Sequence, residues 1–186
     1  MELDDAIKAR KSVRRFSDKK PDWRNIIEAI DAARYSPMAG NLFSLKFILT
    51  DDKNKIKQLA QASQQDFVAD AHYVVVVCSS TSRTLSSYSE KGDIYLRQQA
   101  GAGIQNFLLK LVELGLSTCW IGLFVEEDIK SLLKIPNDAN VEALFPIGYE
   151  SNIGKTKGRR RIDLDNVLYF DKYGEKKMPV KRRLIG

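Results

Sequence analysis

Histidine and cysteine are scarce in this chain: His72 is the one histidine, and Cys78 and Cys119 are the two cysteines among 186 residues. His72 opens a hydrophobic, strand-like run, a position that argues against a Ser-His-Asp triad, and with no second histidine a zinc site is not expected. Each cysteine lies inside an apolar run instead of a C-x-x-C pair, so both are expected as buried free thiols with no disulfide framework. No stretch reaches the eighteen or more uncharged apolar residues of a membrane span, and Met1-Glu2-Leu3-Asp4-Asp5 is too acidic to open a secretory signal. The expectation is a soluble cytoplasmic protein that does not contact a membrane.

What is present suits one globular domain, since a hydrophobic content of 44% is enough for a single sizeable core. The net charge of +6 is unevenly placed. Residues 151–186 carry eleven Lys/Arg against four Asp/Glu, so the remainder of the chain is close to neutral. Nucleic acid, an acidic surface or a phosphorylated cofactor would each suit such a patch.

Helical spacing of Leu3, Ala6 and Ile7, and of Trp23, Ile26, Ile27, Ile30 and Ala33 after Pro21-Asp22, predicts two helices, the second ending near Ser36-Pro37. A strand over 45–50 follows, then a short helix capped by Asp51 or Asp52 and carrying Ile56 and Leu59. Residues 72–78 lack alternation, as in a strand covered on both faces. Residues 79–92 read as a loop, either a lid or an unstructured connection. A long helix over about 93–114 comes next, with Gly115 as its left-handed cap. A strand over 118–121, a helix starting at Glu126-Glu127-Asp128 and ended by Ile135-Pro136, and a strand over 141–149 complete the pattern, Pro146 marking the last strand as an edge or a bulge. Helices interleaved with strands predict an α/β or α+β sandwich with helices on both faces of a central sheet. The tail holds Val167, Leu168, Tyr169 and Phe170 but no helix pattern; a second subunit to lie against, hence a homodimer, is the expected solution.

Arg10-Lys11-Ser12-Val13-Arg14-Arg15-Phe16 sets four cations and a hydroxyl between two helices. Arginine forks match phosphate oxygens in pairs and the serine hydroxyl adds a donor; a solvated basic surface is the alternative. Asn41, after Pro37 and Met38, can donate and accept at once, as a flavin edge requires, or can hold its own turn. Gly122, in Trp120-Ile121-Gly122, permits close approach of something flat, or simply turns the chain. Lys155, Lys157, Arg159, Arg160 and Arg161 form a cationic loop that would close over a phosphate or face solvent or nucleic acid. Gly101-Ala102-Gly103 is no dinucleotide fingerprint, lying inside a helical pattern, and reads as close helix packing at a subunit interface. Without an evident side-chain acid, base or nucleophile, the reactivity is expected to belong to a bound cofactor.

In order and spacing, R-K-S-V-R-R-F at 10–16, A-R-Y-S-P-M-A-G-N at 33–41, W-I-G at 120–122, L-K-I-P at 133–136, I-G-Y at 147–149 and the basic loop together resemble the FMN-dependent nitroreductase family. The resemblance implies a single domain over 1–186: an α+β, three-layer α/β/α sandwich around a mixed, mainly antiparallel sheet, in an intertwined homodimer. Residues 162–186 would extend onto the partner subunit. It further implies FMN at the subunit interface, with Arg10, Lys11, Ser12 and Arg14 on its phosphate and ribityl, helped by Arg159 and Arg161. Pro37, Met38 and Asn41 would reach it from the other subunit, and Ile121 and Gly122 would line the ring. No side chain would be catalytic; hydride would pass from NAD(P)H through flavin N5 to a flat, electron-poor aromatic acceptor such as a nitroaromatic or quinone, in ping-pong fashion. Relatives with this fold include reductive dehalogenases and an oxygen-dependent flavin-fragmenting enzyme, which keep the flavin and change the chemistry. Met38, Leu42, Phe43 and Ser44 depart from the family's usual serine and Gln-Pro, and Glu150 from its usual proline. A nucleic-acid-binding reading rests on the basic tail with Tyr169, Phe170 and Tyr173, but no accompanying motif supports that partner.

Overall fold

The computed structural model describes residues 1–80, 86–153 and 162–178, in two compact units, Met1–Thr156 and Lys157–Gly186. The first unit is built on Tyr73-Val74-Val75-Val76-Val77-Cys78, a run apolar on both sides. As strand β2 (Tyr73–Ser80) it sends Val75 and Val77 into one core and Val74, Val76 and Cys78 into another. β1 (Leu45–Thr50) pairs on one side of it and β4 (Ala139–Gly148) on the other, with the two-residue β3 (Ser117–Thr118) beyond β4, giving the order β1-β2-β4-β3. All three pairings are antiparallel. The expected mixed sheet is therefore corrected: the single parallel pairing among the described residues is the isolated bridge Ser12–Thr118.

Against the Val75 face lie α2 (Trp23–Ala33) and α4 (Gly92–Glu113), whose Ile26, Ala29, Ile104, Phe107 and Leu111 are fully buried. Against the Val76 face lie α3 (Lys53–Ser63) and α5 (Glu126–Leu133), through Ile56, Leu59 and Ile129. α1 (Leu3–Ala9) packs on α4. This is the expected three-layer α+β arrangement. Its helix ends follow local chemistry: Asp22 and Asp52 accept hydrogen bonds from first-turn backbone N–H groups, and Gly115, at φ +72°, ends α4, which is about 30 Å long.

Pro146 does not mark an edge. It pairs with Val74 inside the sheet, while the bulge falls at Glu142, the extra residue opposite Val77 and Cys78. The Pro146 carbonyl accepts a hydrogen bond from Thr118 Oγ1 at 2.7 Å, so the side of the residue that lacks an N–H also faces the third strand. Thr118 pairs with Ile147 and Ile121 with Leu144 in one register, and the ladder between them is broken where Pro146 has no donor. The expected strand over 118–121 is thus a two-residue strand plus one bridge. Of the expected loop over 79–92, Ser79 and Ser80 belong to β2 and residues 86–91 are helical turns, while residues 81–85 lie outside the described residues. Gly103 packs closely within the chain, where a Cβ would meet Leu45 Cδ1 at 2.8 Å and the Ala33 carbonyl at 3.5 Å, while a Cβ on Gly101 would meet nothing within 4 Å.

Both cysteines are free and buried. Burial, with the nearby carboxylates of Glu142 and Glu126 adding to it, pushes the Cys78 thiol from 9.0 up to about 11. The folded chain keeps a proton that the unfolded chain releases, so this contribution to stability is complete below pH 9 and declines as pH rises from 9 to about 11. Urea midpoints are expected to fall over that window and Cys78→Ala to flatten the decline; parallel pH profiles would contradict this.

In the second unit, Leu164–Asn166 forms one helical turn, and Phe170 N–H donates to the Glu175 carbonyl at 2.9 Å. The Tyr169 and Tyr173 rings lie 4.7 Å apart, with the Lys176 ammonium 4.2 Å from the centre of Tyr169. Ile162, Leu164, Val167 and Tyr173 are exposed. Among the described residues, no helix is long and apolar enough to cross a membrane, and no cluster of His, Cys, Asp and Glu could hold a metal.

Candidate functional site

Residues 10–17 leave α1 and run as an extended strip stitched to the sheet. Val13 N–H donates to the Thr118 carbonyl at 2.9 Å, Ser17 N–H to Tyr149 at 2.9 Å, and Ser151 N–H to Arg15 at 3.0 Å. Val13 is 1% exposed and anchors the strip inward, so alternation places Ser12 and Arg14 together on its other side. Phe16 lies over Gly148, where a Cβ would stand 2.9 Å from the ring and 3.1 Å from Phe16 Cβ. Gly148→Ala is therefore expected to displace the strip and cost about 1–3 kcal/mol, read as a lower urea midpoint. An unchanged midpoint would contradict the close contact.

The four residues assigned to an anion have different surroundings. Lys11 pairs with Glu150 at 2.8 Å, so the glutamate that departs from the family pattern engages a cation of the motif. Arg10 and Arg14 form no ion pair with a carboxylate among the described residues. The Arg14 guanidinium lies 5.9 Å from the centre of the Phe67 ring. Burial pushes the Cys119 thiol upward, opposed by the Arg14 charge and a hydrogen bond with Ser12, which brings Ser12, Arg14 and Cys119 together. Arg10 and Lys11 line a cleft of about 450 Å³, walled by Val13, Leu108, Leu111 and Glu150, that Arg14 does not line.

Pro37 and Met38 border a different cavity, of about 380 Å³, with Tyr95, Gln98 and Gln99, sharing no residue with the first. Within one chain these two parts of the expected site do not share a cavity. Gly40 and Asn41 both have positive φ, at 59° and 58°, and a Cβ on Gly40 would meet Tyr88 Oη at 2.7 Å. Asn41 is exposed. Buried Gln99 holds the chain after this turn, accepting from Ser44 N–H at 2.8 Å and donating to the Leu42 carbonyl at 3.1 Å. Gln99 escaped the sequence reading although it had a signal: it stands three residues after Leu96, a polar residue on the buried stripe of α4.

Ile121 is 6% exposed; its side chain belongs to the core facing α3 and α5, and its backbone bridges to Leu144. Gly122 is exposed, and a Cβ there would find only Trp120 Nε1 within 4 Å, at 3.9 Å. The space over Gly122 is thus open. Trp120 is held edge-on to Phe145, ring centres 5.7 Å apart. Arg159 and Arg161, with the basic loop around them, lie outside the described residues.

Comparison with known proteins places this geometry. The model of the family described as "Nitroreductase family" matches residues 7–66 and 60–149. A protein of Methanothermobacter thermautotrophicus, provisionally named an NADH dehydrogenase/NAD(P)H nitroreductase, is 28% identical over 93% of this chain and 88% of its own. The iodotyrosine deiodinase of Thermotoga neapolitana is 24% identical over 79% of this chain and 88% of its own. A nitroreductase family protein from Clostridium novyi NT superposes with a TM-score of 0.76 at 27% identity, covering 95% of this chain and 97% of that one. An FMN-dependent nitroreductase from Clostridium difficile R20291 gives 0.76 at 25% identity, covering 90% and 98%. With the family model spanning most of its length and the same fold recurring almost end to end in these relatives, this chain belongs to the nitroreductase family.

Proposed function

We propose that this chain is an FMN-dependent NAD(P)H oxidoreductase that works by ping-pong hydride transfer to a flat, electron-poor acceptor such as a nitroaromatic or quinone. The observation that carries the reading is the pair Arg10 and Arg14, two guanidinium groups without carboxylate partners among the described residues, flanking Ser12 on a strip pinned to the sheet. That donor set suits a phosphate dianion, and the bare face of Gly122 suits a planar ring. FMN supplies the hydride chemistry at N5 when it is bound.

The chain's own residues then have four tasks. Arg10, Arg14 and Ser12 hold the phosphate and ribityl. Gly122 admits the ring and offers its backbone N–H toward N5, and Ile121 keeps that backbone in place through its bridge to Leu144. Trp120 walls the same edge. Lys11 contributes less than its neighbours, since Glu150 already neutralises it. Arg159 and Arg161 join the proposal on sequence alone.

Pro37, Met38 and Asn41 act on the FMN of a second copy in an intertwined homodimer. Two observations favour that assembly: they share no cavity with Arg10, and Leu3 and Ile7 of α1, Trp23 and Ile27 of α2, and Tyr35 beyond it are left exposed. Steady-state oxidation of NADH and NADPH, with FMN and a nitroaromatic or quinone, tests the reading. Parallel double-reciprocal lines are expected; intersecting lines would contradict ping-pong transfer. The likeness to the Thermotoga deiodinase favours a second reading, reductive dehalogenation, which release of iodide from an iodinated phenol would support.

A further inference from the structure

We infer that Phe67 is a positioning residue for the anion-binding guanidinium of Arg14, an inference that rests on the phosphate role proposed for Arg14. Phe67 stands in the short turn Asp66–Asp70, far from Arg14 in sequence, and no motif draws attention to it. The turn is fixed from below by fully buried Val68, and Phe67 itself packs against the core shared by α3 and α5. Its ring is thus a fixed surface, with the Arg14 guanidinium carbon 5.9 Å from its centre, within the roughly 6 Å range of cation–π attraction.

The choice of partner matters chemically. Asp66 and Asp70 flank Phe67 in the same turn, yet Arg14 forms an ion pair with neither. A carboxylate would take two of the five guanidinium donors in a bidentate pair and neutralise the charge. An aromatic ring attracts the cation through its π face without offering a counter-charge or an in-plane acceptor, so the donors of Arg14 stay available to an anion. The ring also narrows the positions open to a long, exposed side chain. Phosphate binding then costs Arg14 less ordering entropy.

Fluorescence titration of the full-length protein with FMN and with riboflavin, which lacks the phosphate, isolates this effect as a ratio of the two affinities. Phe67→Leu is expected to lower the preference for FMN about three- to tenfold with riboflavin affinity unchanged, and Phe67→Tyr, which keeps a ring, to retain it. In a background of Arg14→Gln, Phe67→Leu should cause no further loss. If Phe67→Leu does not fold, Phe67→Met takes its place, riboflavin binding reporting the intact site in each case. A wild-type preference retained in the leucine or methionine variant would overturn the positioning role while leaving the phosphate reading intact. Equal affinity of the wild-type chain for FMN and riboflavin would overturn the phosphate reading itself, and the inference with it.

Discussion

Replacing Arg10 and Arg14 together by alanine is expected to weaken FMN binding at least a hundredfold, the largest functional effect of any change considered. A hydrogen bond to a charged group contributes about 1.5–3 kcal/mol, or roughly tenfold or more for Arg10→Ala alone. The two arginines sit on opposite sides of Ser12 in different surroundings, one on the cleft with Lys11 and Glu150 and one over Phe67, but both donate to the one phosphate, so the hundredfold figure is the product of two separate tenfold losses and a double-mutant cycle reads their coupling. Neither pairs with a carboxylate among the described residues, so removing them leaves no buried acid unpaired, and the fold should tolerate the change. Flavin-fluorescence titration reads the result. Affinity within threefold of the wild type would remove both residues from the site.

Phe107→Ala should carry the largest stability cost, about 3–5 kcal/mol. Phe107 is fully buried where α4 crosses the sheet, with Phe47 at 6.3 Å and Phe145 edge-on at 5.4 Å between ring centres. Truncation opens a cavity between two rigid layers that cannot collapse onto it. At about 2–4 °C per kcal/mol for a chain of this size, Tm should fall by roughly 6–20 °C. Phe145 also supports Trp120, so the slack reaches the strand end that presents Gly122. A loss below 1 kcal/mol in urea unfolding would show that the aromatic layer does not hold the core.

Much of this architecture was legible because single residues carry their own physics. The uninterrupted valines of β2 announce a strand covered on both faces, Gly115 ends α4 at the one conformation it alone adopts cheaply, and Asp52 caps α3. What escaped depends on partners distant in sequence. Pro146 lacks a donor, but whether that donor is missed depends on which neighbour it faces; it interrupts the third strand and keeps its pairing with Val74 of β2. The close packing of Gly103 is against Leu45, a neighbour that only the fold supplies. Lys11 and Arg14 are alike in the motif, and only the fold gives Glu150 to one and Phe67 to the other. The family resemblance named candidate residues along the strip and turn, whereas Gln99, which ties the turn down through Leu42 and Ser44, follows only from three-dimensional contact.

The most direct test of the central claim is optical. Protein reconstituted with FMN and freed of excess should keep the absorbance of oxidised flavin, bleach when NADH or NADPH is added without oxygen, and regain its colour on addition of a nitroaromatic or quinone. Failure to retain FMN, or a bound flavin that neither nucleotide bleaches, would contradict it.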